Sequence, residues 1–467
     1  MAKHRFFVIY LLPLVLVGFV LLTALAAVRP ARSDPAQARV RLIPQVLELI
    51  TAHYVESLDR AELSDSAIRG MVSHLDRYSQ FLDAEATRAA EEDNRGRFGG
   101  LGVHLSLDRS LKHGFLTVAR PFRSGPARAA GILPGDRIVA VDSERLARLR
   151  DSRDFQAVLQ RIKGEVGSPV RLTLERTEDG ATRELDCTLT RAQVQVETVL
   201  GSRRVDPEAG LGYFRIDAFK EHTVEEVDAA LRGLMAEGLD GLVLDLRNNG
   251  GGLLRQAAEV ADRFLPRGVI VSTRGRHPED HEVLHATPAQ QVPAELPLVV
   301  LINRATASAA EALAGALQDY RRAVILGERS YGKGVVQSVY RMGQTRTSLK
   351  ITTSRYYTPS GRCIDRIYSA DRKRYTGGIL PDVVVLLRHA EDVVLMGEDG
   401  EWERWLADEV DPRTPAPPPV WPDTVDRQLL AAIDLLRGRY PVGRTVAREA
   451  DEGAAVRARP PEAEEDS

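Results

Sequence analysis

Ser308 stands in Thr306-Ala307-Ser308-Ala309-Ala310-Glu311, directly after the apolar run Leu296 to Ile302. Lys333 stands between two glycines in Tyr331-Gly332-Lys333-Gly334. No histidine is placed near either motif to complete a Ser-His-Asp triad. A serine hydrolase can instead use a lysine amine as its base, provided the amine is neutral when it acts. A free lysine has a pKa of about 10.4. Burial against an apolar sheet lowers it by several units, and a lysine poised at roughly 7–8 accepts the serine proton. Singly, each residue has an ordinary reading: Ser308 as a helix N-cap, Lys333 as a solvated loop lysine. The information lies in the pair, one residue after a strand and the other after the next.

Acyl transfer also needs oxyanion donors and a way to hold the peptide. The stretch Asp245-Leu246-Arg247-Asn248-Asn249-Gly250-Gly251-Gly252-Leu253 joins a buried strand to a helix, and its glycines let backbone N–H groups face a ligand. With the Ala309 N–H as second donor, this loop can form an oxyanion hole. Gln337, on the same face as Lys333 if the segment is extended, can orient the lysine or the incoming peptide. Gly100-Leu101-Gly102-Val103 is a glycine-bearing loop before a strand, suited to a C-terminal carboxylate.

Two motifs point elsewhere. His281-Glu282-Val283-Leu284-His285 spells the zinc-protease H-E-x-x-H, but Pro278 and Pro288 leave no room for the helix it requires. As a hairpin partner of Val269 to Thr273, it would hold the two histidines about 13 Å apart, too far for one zinc ion. Gly327 to Gly334 nearly spells a phosphate-binding loop, yet Gly334 replaces its Ser/Thr and no helical pattern follows. No metal or cofactor is expected.

The elements that must position these residues follow from periodicity. Val40 to Tyr54 and Ser64 to Leu75 have helical spacing, and this helical region ends before Arg95. From Phe98 a second unit has short strands, including Leu116 to Ala119 and Arg137 to Val141, the turn Pro134-Gly135-Asp136, and a helix over Asp154 to Lys163. Arg171 to Arg176 and Glu184 to Leu189 close it as strands. A third unit alternates strands (Gly241 to Leu246, Val269 to Thr273, Leu296 to Ile302, Ala323 to Leu326) with helices (Leu254 to Phe264, Ser308 to Leu317), which implies a largely parallel sheet covered by helices. Val335 to Tyr340 and Thr347 to Tyr356 read as a hairpin. Pro415 to Pro419 is a linker, Asp426 to Leu436 a last helix, and Glu449 to Ser467 a polar, disordered tail.

At 467 residues the chain holds several domains. Its 43% hydrophobic and 28% charged content is globular, and a net charge of -3 argues against a nucleic-acid protein. Two cysteines, Cys187 and Cys363, lie far apart and read as separate thiols. Met1 to Arg5 is basic and Phe6 to Val28 uncharged, long enough to cross a bilayer with Arg29 onward outside the cytoplasm. An uncleaved anchor is expected, although Ala24-Leu25-Ala26 has the form of a signal-peptidase site.

From Leu75 to Leu387 these motifs together resemble the C-terminal processing (tail-specific) peptidases. The resemblance rests on Leu75 to Ser79, Phe98 to Val103 with Gly131 to Asp142 (similar to a PDZ module), Asp245 to Leu253, Asn303 to Glu311, Gly332 to Gln337, Arg355 to Arg362 and Gly378 to Val385. It implies Ser308 as nucleophile, Lys333 as base, Gln337 as assistant, and Gly252 and Ala309 as oxyanion donors. It also implies that Gly100, Leu101, Gly102 and Val103 take substrate tails. Three features depart from it: Ala310 and Arg77 replace the usual serine and proline, and Cys363 to Thr376 inserts a charged loop.

The expected protein is therefore a multi-domain α/β chain. It has a membrane segment (1–30), a helical N-terminal region (31–96), a PDZ domain (97–190), a protease core of mainly parallel, crotonase-like sheet (191–390), a C-terminal helical region (391–448) and a tail (449–467). It would be a serine endopeptidase anchored to the inner membrane of a bacterial envelope, facing the periplasm. Its expected partners are protein or peptide substrates with apolar C-terminal tails and the membrane; a second copy or an activating adaptor is also compatible with the helices. The competing reading is an inactive PDZ scaffold on a protease fold, which the intact Ser308 and Lys333 argue against.

Overall fold

The computed structural model describes residues 39–386 and 426–438, apart from 109–113, 123, 147–148, 150–151, 179, 289–290, 344–345 and 369–374. The expected membrane segment, proline-rich linker and acidic tail lie outside the described residues, as do residues 31–38. Among the described residues no helix is long and apolar enough to cross a membrane.

The chain divides into two compact units, one ending at Phe81 and one beginning at Leu82. The first holds helices Leu42–His53 and Arg60–Val72. Asp59 caps the second by accepting the Ala61 N–H at 2.7 Å. Of the helical face Leu42, Val46, Leu49 and Ile50 that the spacing predicts, the first three are exposed and Ile50 is half-buried.

In the second unit a PDZ-like sheet runs Val103–Asp108, Phe115–Pro121, Arg137–Val141, Pro169–Glu178 and Ala181–Thr190, every neighbour antiparallel. Helix Ser152–Ile162 packs Val158 and Ile162 into its core. The turn at Pro134 to Asp136 is fixed from within: buried Asp136 takes Nε and Nη2 of Arg176, each at 2.7 Å, and the Leu133 N–H at 2.9 Å.

This sheet is reached and left along one ribbon. Arg97–Gly100 pairs antiparallel with Ala192–Gln195, Gly100 opposite Ala192. At the foot of the ribbon the Val196 N–H donates to Gly96 O at 2.8 Å, and the Glu226 carboxylate accepts the N–H groups of Thr198 and Val199 at 2.7 and 3.0 Å.

The core beyond it is a six-stranded sheet in the order Val199–Asp206, Leu211–Ile216, Gly241–Asp245, Leu298–Ile302, Val324–Gly327, Val383–Val384. Only the first pair is antiparallel. Its strands are apolar on both faces because both are covered. Leu242, Leu244, Val300 and Ile302 face helices Thr223–Ala236, Leu254–Asp262 and Ala309–Asp319. Val243, Val299 and Leu301 face helix Arg427–Leu436 through Leu429 and Ala432.

One expected core strand lies elsewhere. Gly268–Gly275, which contains Val269 to Thr273, joins an antiparallel sheet with Glu282–Ala286 and Thr347–Tyr357, the latter also paired with Val335–Met342. Only the three-residue 3-10 turn Pro278–Asp280 separates Gly268–Gly275 from Glu282–Ala286, too short for the crossover that a parallel neighbour needs. The H-E-x-x-H segment is thus in a hairpin, as its prolines suggest, with His281 and His285 exposed.

Candidate active site

The strand Leu298–Ile302 ends at Asn303, and the chain turns through Thr306 and Ala307 before helix Ala309–Asp319. The turn is stitched to the glycine loop. Thr306 Oγ1 donates to Leu246 O at 2.8 Å and the Ala307 N–H to Asn249 O at 2.8 Å. Asn303 and Asn248 exchange bonds, Nδ2 to Oδ1 at 2.7 Å and backbone N–H to Oδ1 at 3.0 Å. Between them sits Ser308 at φ 58°, ψ -119°, and 6% exposed. It takes the N-cap position without a cap's extended backbone. A non-glycine residue there carries strain of about 1–3 kcal/mol, and strand-to-helix turns that hold a nucleophile are strained in the same way.

Glu311, one turn into that helix, is fully buried. Its carboxylate accepts four donors: the N–H groups of Ser308 (2.8 Å), Gly332 (2.6 Å) and Lys333 (2.8 Å) and Ser330 Oγ (2.5 Å). Burial pushes its pKa up, and these four bonds oppose the shift. One carboxylate therefore joins the serine turn to the lysine loop. Lys333 itself is half-buried.

The glycines beside Lys333 are required by close approach. A Cβ on Gly334 would lie 2.0 Å from the Asp365 N, and Gly332, at φ 81°, has Arg366 Cβ 3.0 Å from such an atom. Both neighbours belong to the inserted 363–376 segment, whose Arg366 N–H donates to Gly332 O at 3.0 Å. This loop cannot cradle phosphate: a strand follows it, and the Gly332 and Lys333 N–H groups already serve Glu311.

The glycine loop lies against Ser308. A Cβ on Gly251 (φ 101°) would come within 2.8 Å of Ser308 Cβ and 3.0 Å of Ala309 N; one on Gly252 (φ 133°) would lie 2.1 Å from Phe219 O. The Gly252 and Ala309 N–H groups have no hydrogen-bond partner among the described residues, Ala309 being the first residue of its helix. Two unengaged donors beside a serine hydroxyl suit a developing oxyanion.

Gln337 lies in the strand that starts at Val335, with a register shift between Val336 and Gln337. Lys333 precedes that strand, so a shared strand face does not relate the two. The Gln337 amide donates to Thr352 Oγ1 at 3.3 Å and Val335 O at 3.4 Å.

Sequence reasoning missed two residues. Glu311 was legible, since Ser308-Ala-Ala-Glu311 has the S-x-x-E capping spacing. Tyr356 had no local signal. Its N–H donates to Gly334 O at 2.8 Å, which fastens its strand to the lysine loop, and its side chain is buried. Burial holds the phenol above its usual pKa, partly offset by the Ser308 side chain.

In the PDZ-like sheet the Ala127 N–H donates to Leu101 O at 2.9 Å and the Phe122 N–H to Gly102 O at 2.8 Å. In planar trans peptides this turns the N–H groups of Gly102 and Val103 the opposite way. Gly102 adopts φ 71° and packs on Gly125, whose Cα would be 2.7 Å from a Gly102 Cβ.

Comparison with known proteins agrees with this architecture. Residues 210–385 match the model of peptidase family S41, 118–176 that of a PDZ domain, and 26–86 that of the N-terminal domain of the activating protease CtpB. The carboxy-terminal-processing protease of Bartonella bacilliformis is 37% identical over 344 residues, which is 73% of each chain. The chain belongs to peptidase family S41. It is a C-terminal processing peptidase, a serine protease, and carries a PDZ domain. Carboxy-terminal processing protease CtpB of Bacillus subtilis is 31% identical over 325 residues, 69% of this chain and 65% of that one. A Bacteroides fragilis structure assigned to the S41 proteases shares the fold at 16% identity and TM-score 0.51, covering 85% of this chain and 98% of that one.

Proposed function

We propose that this S41 peptidase is a membrane-anchored endopeptidase of the bacterial envelope, its catalytic unit in the periplasm, and that it acts through a Ser308–Lys333 dyad. An apolar, uncharged C-terminal tail binds the PDZ domain, its carboxylate held by the Gly100 to Val103 loop. Neutral Lys333 takes the Ser308 proton as Oγ attacks the scissile carbonyl. The N–H groups of Gly252 and Ala309 receive the oxyanion, and the lysine returns its proton to the departing amine. Water then hydrolyses the acyl-enzyme by the same route. Gln337 holds the lysine or the substrate strand.

The observation that carries this reading is the turn at Ser308, with φ 58° beside two unengaged N–H groups, tied through Glu311 to the backbone of Lys333. The test uses the purified full chain in detergent and an unfolded protein with an apolar C-terminal tail, beside Ser308→Ala and Lys333→Ala. Cleavage by the unaltered chain alone supports the dyad; equal cleavage by all three sinks it. For the anchor, carbonate-washed membranes should retain the chain, and release into the supernatant would count against it.

A further inference from the structure

Two carboxylates hold Arg247, and one of them lies 179 positions further along the chain. All five N–H groups of this buried guanidinium are engaged. Nε and one Nη2 hydrogen go to Asp245, at 3.0 and 2.6 Å. The other three reach the C-terminal helix: Nη1 to Asp426 Oδ1 at 2.8 Å and to Gln428 Oε1 at 3.2 Å, and Nη2 to Asp426 Oδ2 at 2.8 Å. Asp426 also caps that helix, accepting the Leu429 N–H at 3.0 Å. Apolar packing through Leu429 and Ala432 already seats the helix on the sheet. A buried ion pair adds little net stability over such packing, but a two-pronged one fixes direction. Here it acts on the residue that opens the glycine loop. The Arg247 N–H is held by Asp245 Oδ1 at 2.9 Å. Two residues on, Asn249 grips Ile216 O through Nδ2 and the Gly251 N–H through Oδ1, each at 2.8 Å. Gly252, whose N–H is unengaged among the described residues, comes next.

Resting on the reading of the Gly252 N–H as an oxyanion donor, we propose that Asp426 is a positioning residue: through Arg247 it sets the upstream end of the glycine loop, and so where that N–H points. The downstream end is set separately, the Phe219 N–H donating to Gly251 O at 2.9 Å and the Leu253 N–H to Phe219 O at 2.8 Å. An oxyanion donor acts only within about 2.7–3.1 Å of the oxygen it serves. A displacement of about 1 Å in a catalytic group costs up to roughly 10²-fold in rate. Asp426 does this from the far face of the sheet, where the helix lies against Val243, Val299 and Leu301.

The test uses the full chain in detergent and a short chromogenic peptide ester. The burst amplitude counts competent molecules, and the burst rate constant reads acylation in each of them. Asp426→Asn keeps the size and one acceptor for the cap. It is compared with the unaltered chain, Leu429→Ala and Ser308→Ala. We expect its burst rate constant to fall roughly 10–100-fold, with the half-saturating ester concentration within about twofold. A peptide boronate, whose serine adduct presents an oxyanion, should lose affinity in proportion. Leu429→Ala empties a buried apolar site in the same helix; it should melt lower and keep its burst rate constant within about twofold. A rate constant or boronate affinity unchanged in Asp426→Asn overturns the proposal. So does an equal fall in Leu429→Ala, which would mean that seating of the helix alone matters. If Ser308→Ala gives the full burst, the dyad reading fails and this role falls with it; if only Ser308→Ala loses the burst, that reading stands and the Asp426 role fails alone. Should Asp426→Asn give no burst at all, Asp426→Glu takes its place, its carboxylate one methylene farther out: a lowered rate constant supports the proposal and an unchanged one overturns it.

Discussion

The carboxylate of Glu311 accepts the backbone N–H of Ser308 and that of Lys333, each at 2.8 Å. Ser308 and Lys333 reach the site after different strands, and one buried carboxylate a turn into the serine helix fixes both main chains. Glu311→Gln presents an amide to four donors that need acceptors. We expect kcat/KM to fall about 10–100-fold and stability by about 1.5–3 kcal/mol, the range for hydrogen bonds to charged groups. Denaturant unfolding and steady-state kinetics check both.

Gly252→Ala places a methyl 2.1 Å from Phe219 O at a φ of 133°. The loop has to move, and the Gly252 N–H moves with it. The expected result is a kcat lowered by 10²-fold or more, the scale of removing an oxyanion donor. Titration of the tail peptide should show PDZ binding intact, since that sheet has a hydrophobic core of its own.

Arg247 is fully buried, with Nη2 2.6 Å from Asp245 and 2.8 Å from Asp426. Arg247→Ala strands two buried carboxylates and should cost about 3–5 kcal/mol, loosening helix Arg427–Leu436 from the sheet. For Asp245, burial works against ionisation, but the Arg247 charge and hydrogen bonds outweigh it and the pKa lies below 3.8. A depressed carboxylate stabilises the fold above its unfolded pKa, and that stability is lost as pH falls through the folded value. Acid unfolding monitored below pH 3.8 should therefore be steep in the unaltered chain and shallower in Asp245→Asn.

Gly102→Ala sets a Cβ 2.7 Å from Gly125 Cα at φ 71°. Binding of an apolar-tailed peptide, followed by calorimetry, should weaken about tenfold, the scale of one lost hydrogen bond. Cleavage of a peptide too short to reach the PDZ domain should keep its kcat.

A chelator should leave activity unchanged, as should His281→Ala. His281 is exposed and precedes the strand Glu282–Ala286, and no cluster of three or more metal-ligating side chains occurs among the described residues. Loss of activity with EDTA, restored by zinc, would sink this expectation.

The sequence made legible whatever depends on neighbours along the chain. The strand before Ser308, the helix after it, the strand character of the H-E-x-x-H segment and the paired strands Val335–Met342 and Thr347–Tyr357 all follow from period, proline and glycine. Tyr356 could not be found in this way. It meets the lysine loop through a backbone bond to Gly334 O, a residue far away in sequence, and its neighbours read only as a strand. Gly268–Gly275 was expected in the parallel sheet because alternation does not say which sheet a strand joins; the hairpin that follows decides it. Face-sharing failed for Lys333 and Gln337 because the strand begins between them and its register shifts before Gln337.

The ribbon of Arg97–Gly100 and Ala192–Gln195 carries both connections to the PDZ sheet on paired strands, Gly100 facing Ala192. The chain thus enters the PDZ sheet and leaves it at nearly one point, as a plug-in cartridge would. Closing Gly100 onto Ala192 with a two-residue turn would heal the ribbon as an ordinary hairpin and leave the core's strand order intact. The same seam would accept a recognition module of another specificity, provided its own ends lie side by side. In this design the PDZ sheet and the protease core meet at a single seam and are exchangeable there as separate parts.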